Sequence, residues 1–331
     1  MMNLSTMLQG MADDRPAKQL IKKWKHDEDS LRFWRASSNF VYVFTREGKR
    51  QFLRFIHASD NSAAQIEAEL DFIVYLAANG YPAAKPVASV HGRWLERMAD
   101  EELGVYYGVA FEQAEGSHVP LGDMSAEQLF GWGRSLARLH ELSAGYAPDA
   151  GRPERWGWRD VMAWTYEVLE RHREGEALRE WNRVQAWLES LPADGNHVGL
   201  IHYDFQPDNV FDRGVQGDYG VIDFDDAMQH WFAADIAAAL GDLDDFSDPE
   251  TRAIRDIFIR GYTSARPLGI SLEETFAGFR RFDRLYGFAR IIRSMERVDE
   301  ASAPEWMKQL LAKFRGHCDR RRGWFQEAGS F

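Results

Sequence analysis

Two apolar segments in the second half of the chain each lead into a group of oxygen-bearing side chains. The segment "LIHYDFQPDNVFD" places Asn209 five residues after Asp204 in a turn, and "VIDFDD" brings Asp223 to the end of the next apolar strand. Phosphoryl transfer from ATP needs one carboxylate to orient and deprotonate the acceptor hydroxyl, and two ligands to hold Mg²⁺ against the phosphates. Asp204 suits the first role as a base, while Asn209 and Asp223 suit the second.

The competing explanation of this motif is turn formation, because Asp, Asn and Pro favour turns for conformational reasons of their own. An Asp-Phe-Asp after the following strand makes a chance origin much rarer than the first segment alone would. Asp225 is a candidate for approaching a second metal ion, and Asp226 is a candidate turn residue. We therefore expect a phosphotransferase with Asp204 as catalytic base and a metal held by Asn209 and Asp223.

The composition narrows the class of protein. The chain has 331 residues, 45% of them hydrophobic, which is enough for two lobes that each have a core. A formal net charge of -12 argues against a broad nucleic-acid surface, and no apolar run approaches the roughly 20 residues that span a bilayer. Cys318 stands alone and the start lacks the features of a secretion signal, so we expect a cytoplasmic protein without nucleic-acid or membrane partners.

Strand patterns dominate the first third of the chain. The alternating segments "NFVYVFT" and "QFLRFI" flank the hairpin turn "REGKR", and "AKPVASVHGRWLERM", folded at His91-Gly92, and "LGVYYGVAFEQ" supply further strands. Between them "SAAQIEAELDFIVYLAANG" has helical periodicity, with Ser62 and Gln65 in the positions of a capping box. The pattern predicts five strands and one helix.

Helical periodicity takes over after the connector at 112–122. "SAEQLFGWGRSLARLHELSAG" begins with a second capping box, Ser125 with Gln128. We therefore expect an N-lobe over 1–114 and a C-lobe over 115–331. The segment "GDLDDFSDPE" lacks the glycine and the ligand spacing of a calcium loop, so we interpret it as a helix end followed by an N-cap.

The motif resembles the catalytic core of the aminoglycoside phosphotransferase and choline kinase-like superfamily, whose members are related to the eukaryotic protein kinases. The phrases "SLARLHEL" and "ADIAAAL" extend the resemblance, which covers about 35–245. It implies an α+β, bilobal protein kinase-like fold with a small antiparallel-sheet N-lobe, one main helix in that lobe, and a larger, mostly helical C-lobe. It also implies that ATP and Mg²⁺ bind between the lobes.

The resemblance assigns the phosphate-binding role in "QFLRFI" to Arg54, where protein kinases have lysine. Arginine stays charged and can contact phosphate and carboxylate together. Its expected partner is Glu69 rather than Glu67, which lies on another side of the helix. The nucleotide loop corresponds to "RASSNF", where Ser38 and Asn39 are the candidate contacts. This loop contains no glycine, so we expect phosphate contacts that come partly from side-chain hydroxyls.

The resemblance also places the adenine against the connector, with backbone groups of Glu112, Gln113 and Ala114 as candidates. His202 is expected to brace the catalytic loop and His140 to satisfy a buried face. Asp235 is expected to accept backbone amides of that loop rather than to bind metal. The phrase "RWGWRD" is open between a cleft wall and core packing.

The sequence therefore predicts an ATP-dependent kinase acting on a hydroxyl of a small molecule. Three aspartates near the acceptor favour an amine-bearing substrate. A Ser/Thr protein kinase of the related bacterial type is the nearest alternative, although "VIDFDDAMQHW" leaves no room for a long activation segment. A nucleotide-binding pseudokinase is the alternative from another class, while a nuclease or phosphatase fits the charge and the Arg54 lobe poorly. The identity of the acceptor and the oligomeric state stay open.

Overall fold

The computed structural model describes residues 1–214, 218–241, 243 and 248–329. An antiparallel sheet dominates the N-terminal part and helices dominate the C-terminal part, which confirms the predicted fold class. The strands are β1 (Arg32–Ala36), β2 (Phe40–Arg46), β3 (Lys49–His57), β4 (Pro86–Val87), β5 (Leu95–Asp100), β6 (Gly104–Glu112), β7 (Val198–Ile201), β8 (Val210–Asp212), β9 (Tyr219–Val221) and β10 (Met228–Trp231). The helices are α1 (Leu4–Ala12), α2 (Arg15–Ile21), α3 (Ala63–Ala78), α4 (Ala126–Ala144), α5 (Trp158–Arg171), α6 (Gly175–Ser190), α7 (Phe232–Ala239), α8 (Pro249–Thr263), α9 (Leu272–Ser294) and α10 (Glu305–Glu327).

The N-terminal sheet has six strands among the described residues, in the order β1-β2-β3-β6-β4, with β5 paired to β6. The predicted count of five was wrong because β1 escaped detection. Its side chains are mostly exposed, so the segment lacks the alternation of apolar and polar residues that identifies a half-buried strand. Two shorter antiparallel pairs, β7 with β10 and β8 with β9, carry the acidic motif.

The two predicted capping boxes differ in outcome. At α4 the box is complete, because Ser125 Oγ accepts from Gln128 N at 3.2 Å and Gln128 Oε1 accepts from Ser125 N at 2.8 Å. At α3 only the Ser62 half forms, with Oγ accepting from Gln65 N at 3.2 Å. The Gln65 side chain instead donates to the Glu154 carbonyl at 2.9 Å, because the segment before α5 lies within its reach.

The N-terminal helices pack with the start of α10 against the sheet. Helices α1 and α2, which the sequence analysis did not predict, join one apolar cluster with β2, β3 and the start of α10. Met2 and Trp24 are buried there beside Met307 and Leu311. The division of the chain into lobes 1–114 and 115–331 stays a prediction.

A larger apolar core supports the acidic motif in the C-terminal part. Its fully buried side chains include Trp132, Phe205, Trp231 and Tyr262. Within "GDLDDFSDPE" the predicted N-cap is Asp248, whose carboxylate accepts from Thr251 N at 2.8 Å. The residues at 242 and 244–247 lie outside the described part. No helix among the described residues combines the length and apolar content needed to cross a membrane.

Candidate active site

The turn after β7 carries Asp204 and is held in a strained conformation. Tyr203 has a φ of 67°, in the left-handed region that a bulky residue rarely adopts. Asp235 of α7 holds this turn, because its carboxylate accepts from His202 N and from Tyr203 N, each at 2.8 Å. A strained backbone persists where its surroundings over-determine it, and the two amide contacts of Asp235 provide that determination.

Two histidines complete the support of this turn. His140 lies fully buried, with Nε2 at 3.0 Å from Asp235 and Nδ1 at 2.8 Å from the Tyr262 hydroxyl. Burial lowers the pKa of His140, and the Asp235 carboxylate opposes that shift. His202 contacts the Ile222 carbonyl through Nε2 at 2.9 Å, and its Nδ1 accepts from Asp204 N at 3.2 Å. The His202 ring therefore joins the turn to the segment after β9, whereas His140 acts on the turn through Asp235.

Asp204 and Asn209 lie in direct contact across the turn. The Asn209 amide nitrogen donates to the Asp204 carboxylate at 2.8 Å and to the Asp204 carbonyl at 2.9 Å. This arrangement commits the amide nitrogen of Asn209 and leaves its oxygen as the atom suited to a metal. Burial and the negative charge of Asp226 raise the pKa of Asp204, so this carboxylate is more basic than an exposed aspartate.

Asp223 follows β9 and also adopts a left-handed backbone, with a φ of 68°. Two arginines from the N-terminal sheet reach its carboxylate. Arg35 Nη2 lies 3.0 Å from Oδ2, and Arg54 Nη1 lies 3.8 Å from Oδ1. Burial and the charge of Asp225 raise the pKa of Asp223 well above its usual range, against the opposing effect of the two arginines.

Arg54 and Glu69 form the predicted pair between β3 and α3. Arg54 Nη2 donates to Glu69 Oε2 at 2.8 Å, and their side chains are only 10% and 1% exposed. Because β3 lies between β2 and β6, Arg54 is not an edge-strand charge, and its guanidinium lies 4.9 Å from the centre of the Phe111 ring. Glu67, by contrast, is exposed.

The loop between β1 and β2 divides its side chains between two faces. The Asn39 amide nitrogen donates to Asp225 Oδ2 at 2.7 Å, on the side of the acidic motif. Ser37 and Ser38 line an apolar recess on the other face, beside Leu4. The structure therefore brings Asn39 to the acidic motif, whereas Ser38 lines the recess beside Leu4.

The connector after β6 forms the inner wall of a cleft of about 490 Å³, which Glu112, Gln113 and Ala114 line together with Arg54 and Asp223. Glu112 N donates to the Lys85 carbonyl at 2.9 Å, and the contact of backbone groups of Glu112, Gln113 and Ala114 with adenine stays a prediction. Gly116 has a φ of 106°, and a Cβ there would lie 2.6 Å from the Asp212 carbonyl oxygen. Glycine lets the connector pack directly on β8.

The donor set of this cleft fits a magnesium ion that is bound mostly through a nucleotide. The described residues contain no group of three or more His, Cys, Asp or Glu side chains arranged as a metal cage. Mg²⁺ needs no such cage, because it binds through one or two protein oxygens together with phosphate oxygens and water. The amide oxygen of Asn209 and the carboxylate of Asp223 are hard oxygen donors of this kind.

A family model described as "Phosphotransferase enzyme family" matches residues 31–272. The chain belongs to this family. Amicoumacin kinase from Bacillus subtilis (strain 168) is 23% identical over 69% of this chain and 67% of its own length. These findings confirm the prediction of an ATP-dependent phosphotransferase that uses a hydroxyl as acceptor.

Solved structures resemble this phosphotransferase over nearly its whole length. An amicoumacin kinase in complex with AMP-PNP, Ca²⁺ and Ami has a TM-score of 0.75 at 22% identity, covering 93% of each chain. A microcompartment-associated aminopropanol kinase has a TM-score of 0.69 at 21% identity, covering 95% of this chain and 98% of its own. At these identities the likeness shows the fold.

A second recess, of about 160 Å³, opens on the other side of the acidic motif of the phosphotransferase. Its lining includes Asp225 and Asp226 and the aromatic side chains of Trp156, Trp164 and Tyr286. Asp226 pairs with Arg290 of α9, which the sequence analysis did not single out. In "RWGWRD" the first tryptophan thus lines a recess, while Trp158 is core, at 4% exposed.

Arg155 and Arg290 are the residues of this region that the sequence analysis missed. Arg155 donates to the Asp225 and Ala227 carbonyls, each at 2.6 Å, and so holds the backbone of the acidic turn. Arg290 Nη1 lies 2.8 Å from Asp226 Oδ2. No local signal marked either residue, because their partners lie more than sixty positions away in the sequence.

Proposed function

We propose that this chain transfers the γ-phosphate of ATP to a hydroxyl of a small, amine-bearing molecule and uses Mg²⁺ to do so. The observation that carries the proposal is that three structural units meet at the acidic motif, where Ile222 N donates to the Asn209 carbonyl at 3.1 Å beside Asp223. The units are the Asp204–Asn209 turn, Asp223 at the end of β9, and the buried Arg54–Glu69 pair. The chemistry of phosphoryl transfer is mostly positioning and charge stabilisation, which suits side chains fixed in this way.

In this proposal Asp204 is the base that accepts the proton of the attacking hydroxyl. Its pKa is raised by burial and by the charge of Asp226, and a more basic carboxylate accepts a proton more readily. Asn209 and Asp223 would hold Mg²⁺, which would neutralise charge on the phosphates when bound. The lobe over 1–114 would contribute Arg54 to the phosphates, and the lobe over 115–331 would contribute Asp204.

The second recess is the proposed acceptor site. It shares Asp225 and Asp226 with the surroundings of Asp204, so a hydroxyl held there would approach the base. Aromatic faces attract cations, and Trp156 and Trp164 supply such faces in this recess. Asp225 is the candidate carboxylate, because Asp226 is already paired with Arg290. The aminopropanol kinase that resembles this chain acts, by its name, on an amino alcohol, which is the same class of acceptor.

Two alternatives have less support. A Ser/Thr protein kinase would use a long segment after Asp223, whereas here the chain passes through β10 directly into α7. A pseudokinase is favoured by the glycine-free loop, whose Ser37 and Ser38 line the recess beside Leu4. A scaffold without turnover has no need, however, for Asp204, Asn209 and Asp223 together.

The test is ADP release from Mg-ATP over a panel of hydroxylated acceptors. The panel contains aminopropanol, ethanolamine, choline, homoserine, aminoglycosides, simple sugars and a Ser/Thr protein. Asp204→Asn is expected to lower acceptor-dependent turnover about 10²–10⁴-fold while retaining nucleotide binding. Asp223→Asn is expected to weaken the binding of Mg-ATP itself, and Asp319→Asn, at an exposed position of α10, serves as the matched control.

The outcomes separate the candidates. Turnover with an amino alcohol that is lost in Asp204→Asn supports the proposal, and turnover with the Ser/Thr protein alone would replace it with the protein-kinase alternative. Binding of Mg-ATP without turnover on any acceptor favours the pseudokinase. Undiminished turnover in both Asp204→Asn and Asp223→Asn would contradict the assignment of the site.

A further inference from the structure

Strand β1 contains an irregularity that directs two neighbouring side chains toward the cleft. Phe33 pairs with Tyr42 and Arg35 pairs with Val41, so Trp34 is an extra residue opposite β2. Bulges of this kind occur beside active sites, where they redirect a side chain. As a result Trp34 and Arg35 both line the nucleotide cleft, although consecutive residues of a regular strand face opposite sides.

The bulge places Arg35 in line with Arg54 across three adjacent strands. Arg35 pairs with Val41, and Val41 pairs in turn with Arg54. Directly paired residues share a face of a sheet, and all three of these line the cleft. With a spacing of about 4.8 Å between strands, the two arginines lie about 10 Å apart at the backbone, with Val41 between them.

The two guanidinium groups differ in how firmly they are held. Arg54 is 10% exposed and bonded to the buried Glu69. The Arg35 side chain is 47% exposed, and Asp223 is the carboxylate partner that the structure gives it, at 3.0 Å. Because the Arg35 end of this pair is exposed, water can solvate the guanidinium when it leaves Asp223. Arg35 can therefore change partners more readily than the buried Arg54.

The carboxylate oxygen that Arg35 contacts is also needed by a metal ion. A divalent cation held by Asp223 would compete with the Arg35 guanidinium for Oδ2 and would carry the greater charge. The displaced guanidinium would remain on the cleft wall, level with Arg54, where a polyphosphate would lie. Arginine forks suit phosphate oxygens because they present two parallel donors.

We propose that Arg35 is a second phosphate-binding cation of this cleft, which exchanges Asp223 for the polyphosphate when a divalent cation occupies Asp223. This inference rests on the proposed function, since it takes the ligand to be a nucleotide with a metal. Arg35 then adds a phosphate contact beside the loop, whose Ser37 and Ser38 line the recess next to Leu4. The glycine-free loop is thereby compensated by a side chain from the strand before it.

Calorimetric titration of ATP, ADP and AMP, each with and without Mg²⁺, tests the exchange in Arg35→Gln. With Mg²⁺ present we expect ATP to bind about tenfold more weakly than to the wild type, ADP to lose less, and AMP to change by less than about twofold. Mg²⁺ alone is expected to bind more tightly to Arg35→Gln, because its competitor for Asp223 has been removed. Arg35→Lys, which keeps the charge without the fork, should show an intermediate loss for ATP.

Arg32→Gln is the matched control, because Arg32 lies in the same strand but donates to the Asp29 and Leu31 carbonyls outside the cleft. It should bind all three nucleotides as the wild type does, and thermal unfolding of each variant checks that the fold is intact. Equal ATP affinity in Arg35→Gln and wild type, or an equal loss for AMP and ATP, would overturn the role of Arg35 alone. Failure of the wild-type protein to bind Mg-ATP would overturn the proposed function and this inference with it.

Discussion

Asp235 differs from Asp204 and Asp223 in burial and in the groups that contact its carboxylate. Asp235 is fully buried, and both of its carboxylate oxygens accept hydrogen bonds, from His202 N, Tyr203 N and His140. Asp204 and Asp223 are partly exposed, and burial together with the neighbouring charge of Asp226 or Asp225 raises their pKa values. Buried charges are stabilised where they are paired and hydrogen-bonded, and they repel where they are crowded.

The difference indicates that Asp235 stabilises the folded state, whereas the crowded charges of Asp204 and Asp223 destabilise it. A carboxylate that accepts two backbone amides fixes the turn in which Asp204 must sit. Crowded carboxylates instead create a local demand for positive charge, which Arg35 and Arg54 meet in part. This is the arrangement expected of a site that binds a cation together with a polyphosphate.

The largest expected effect is that of Asp235→Asn. An amide at this position offers one acceptor in place of two and turns a nitrogen toward a buried N–H, so we expect the free energy of unfolding to fall by about 3 kcal/mol. Urea denaturation monitored by tryptophan fluorescence measures this loss. A change below about 0.5 kcal/mol would show that Asp235 does not hold the turn.

The second effect extends the comparison to two buried histidines. His140 has a partner at each ring nitrogen, whereas Nε2 of His230 has none among the described residues, its Nδ1 accepting from Trp231 N at 2.9 Å. Burial lowers the pKa of His230 to about 3, against a smaller opposing effect of Asp235. The folded state therefore keeps His230 neutral while the unfolded chain takes up a proton below about pH 6.5.

Stability should consequently be lost as the pH falls from about 6.5 toward 3, at roughly 1.4 kcal/mol per pH unit for this one proton, or about 2 kcal/mol by pH 5. The free energy of unfolding measured between pH 7 and 5 should depend less steeply on pH in His230→Asn. His91→Asn, at an exposed turn, should keep the wild-type slope. An unchanged slope in His230→Asn would place the acid sensitivity elsewhere.

The smallest expected effect is that of Asp204→Asn, which should change the free energy of unfolding in the opposite direction to Asp235→Asn. Without divalent cations, Asp204→Asn should raise the free energy of unfolding by about 1 kcal/mol, because it removes one charge from a group of like charges. Asn can still accept from the Asn209 amide, so the contact across the turn is retained. Asp208→Asn, in the same turn but with an 89% exposed side chain, should change stability by less than about 0.5 kcal/mol.

A loss of stability in Asp204→Asn comparable to that in Asp235→Asn would show that both aspartates stabilise the fold. A gain in Asp204→Asn that disappears when Mg²⁺ is added to both proteins would sharpen the contrast with Asp235. In that case the cation, rather than the fold, would be what compensates the wild-type charge. Parallel urea titrations with and without Mg²⁺ provide this measurement.

Much of the fold followed from neighbours in the sequence. The alternation in β2 and β3, the capping box at Ser125 and the helical periodicity of α4 depend on residues within a few positions, so they could be recognised locally. The spacing from Asp204 to Asn209 and the Asp223 strand end likewise indicated the chemistry before any contact was known. The resemblance then supplied the expectation that Arg54 and Glu69 pair, and the structure forms that pair.

Other features depended on contacts that join distant parts of the chain. Arg35 and Asp223 are 188 positions apart, and the bulge that aims Arg35 exists only because β1 pairs with β2. The Gln65 side chain donates to the carbonyl of Glu154, 89 positions away, instead of forming the predicted capping box. The sequence by itself therefore indicated most element types and the candidate catalytic residues, whose signals are local. Tertiary packing decided which charges meet, because that depends on partners for which the sequence carries no local signal.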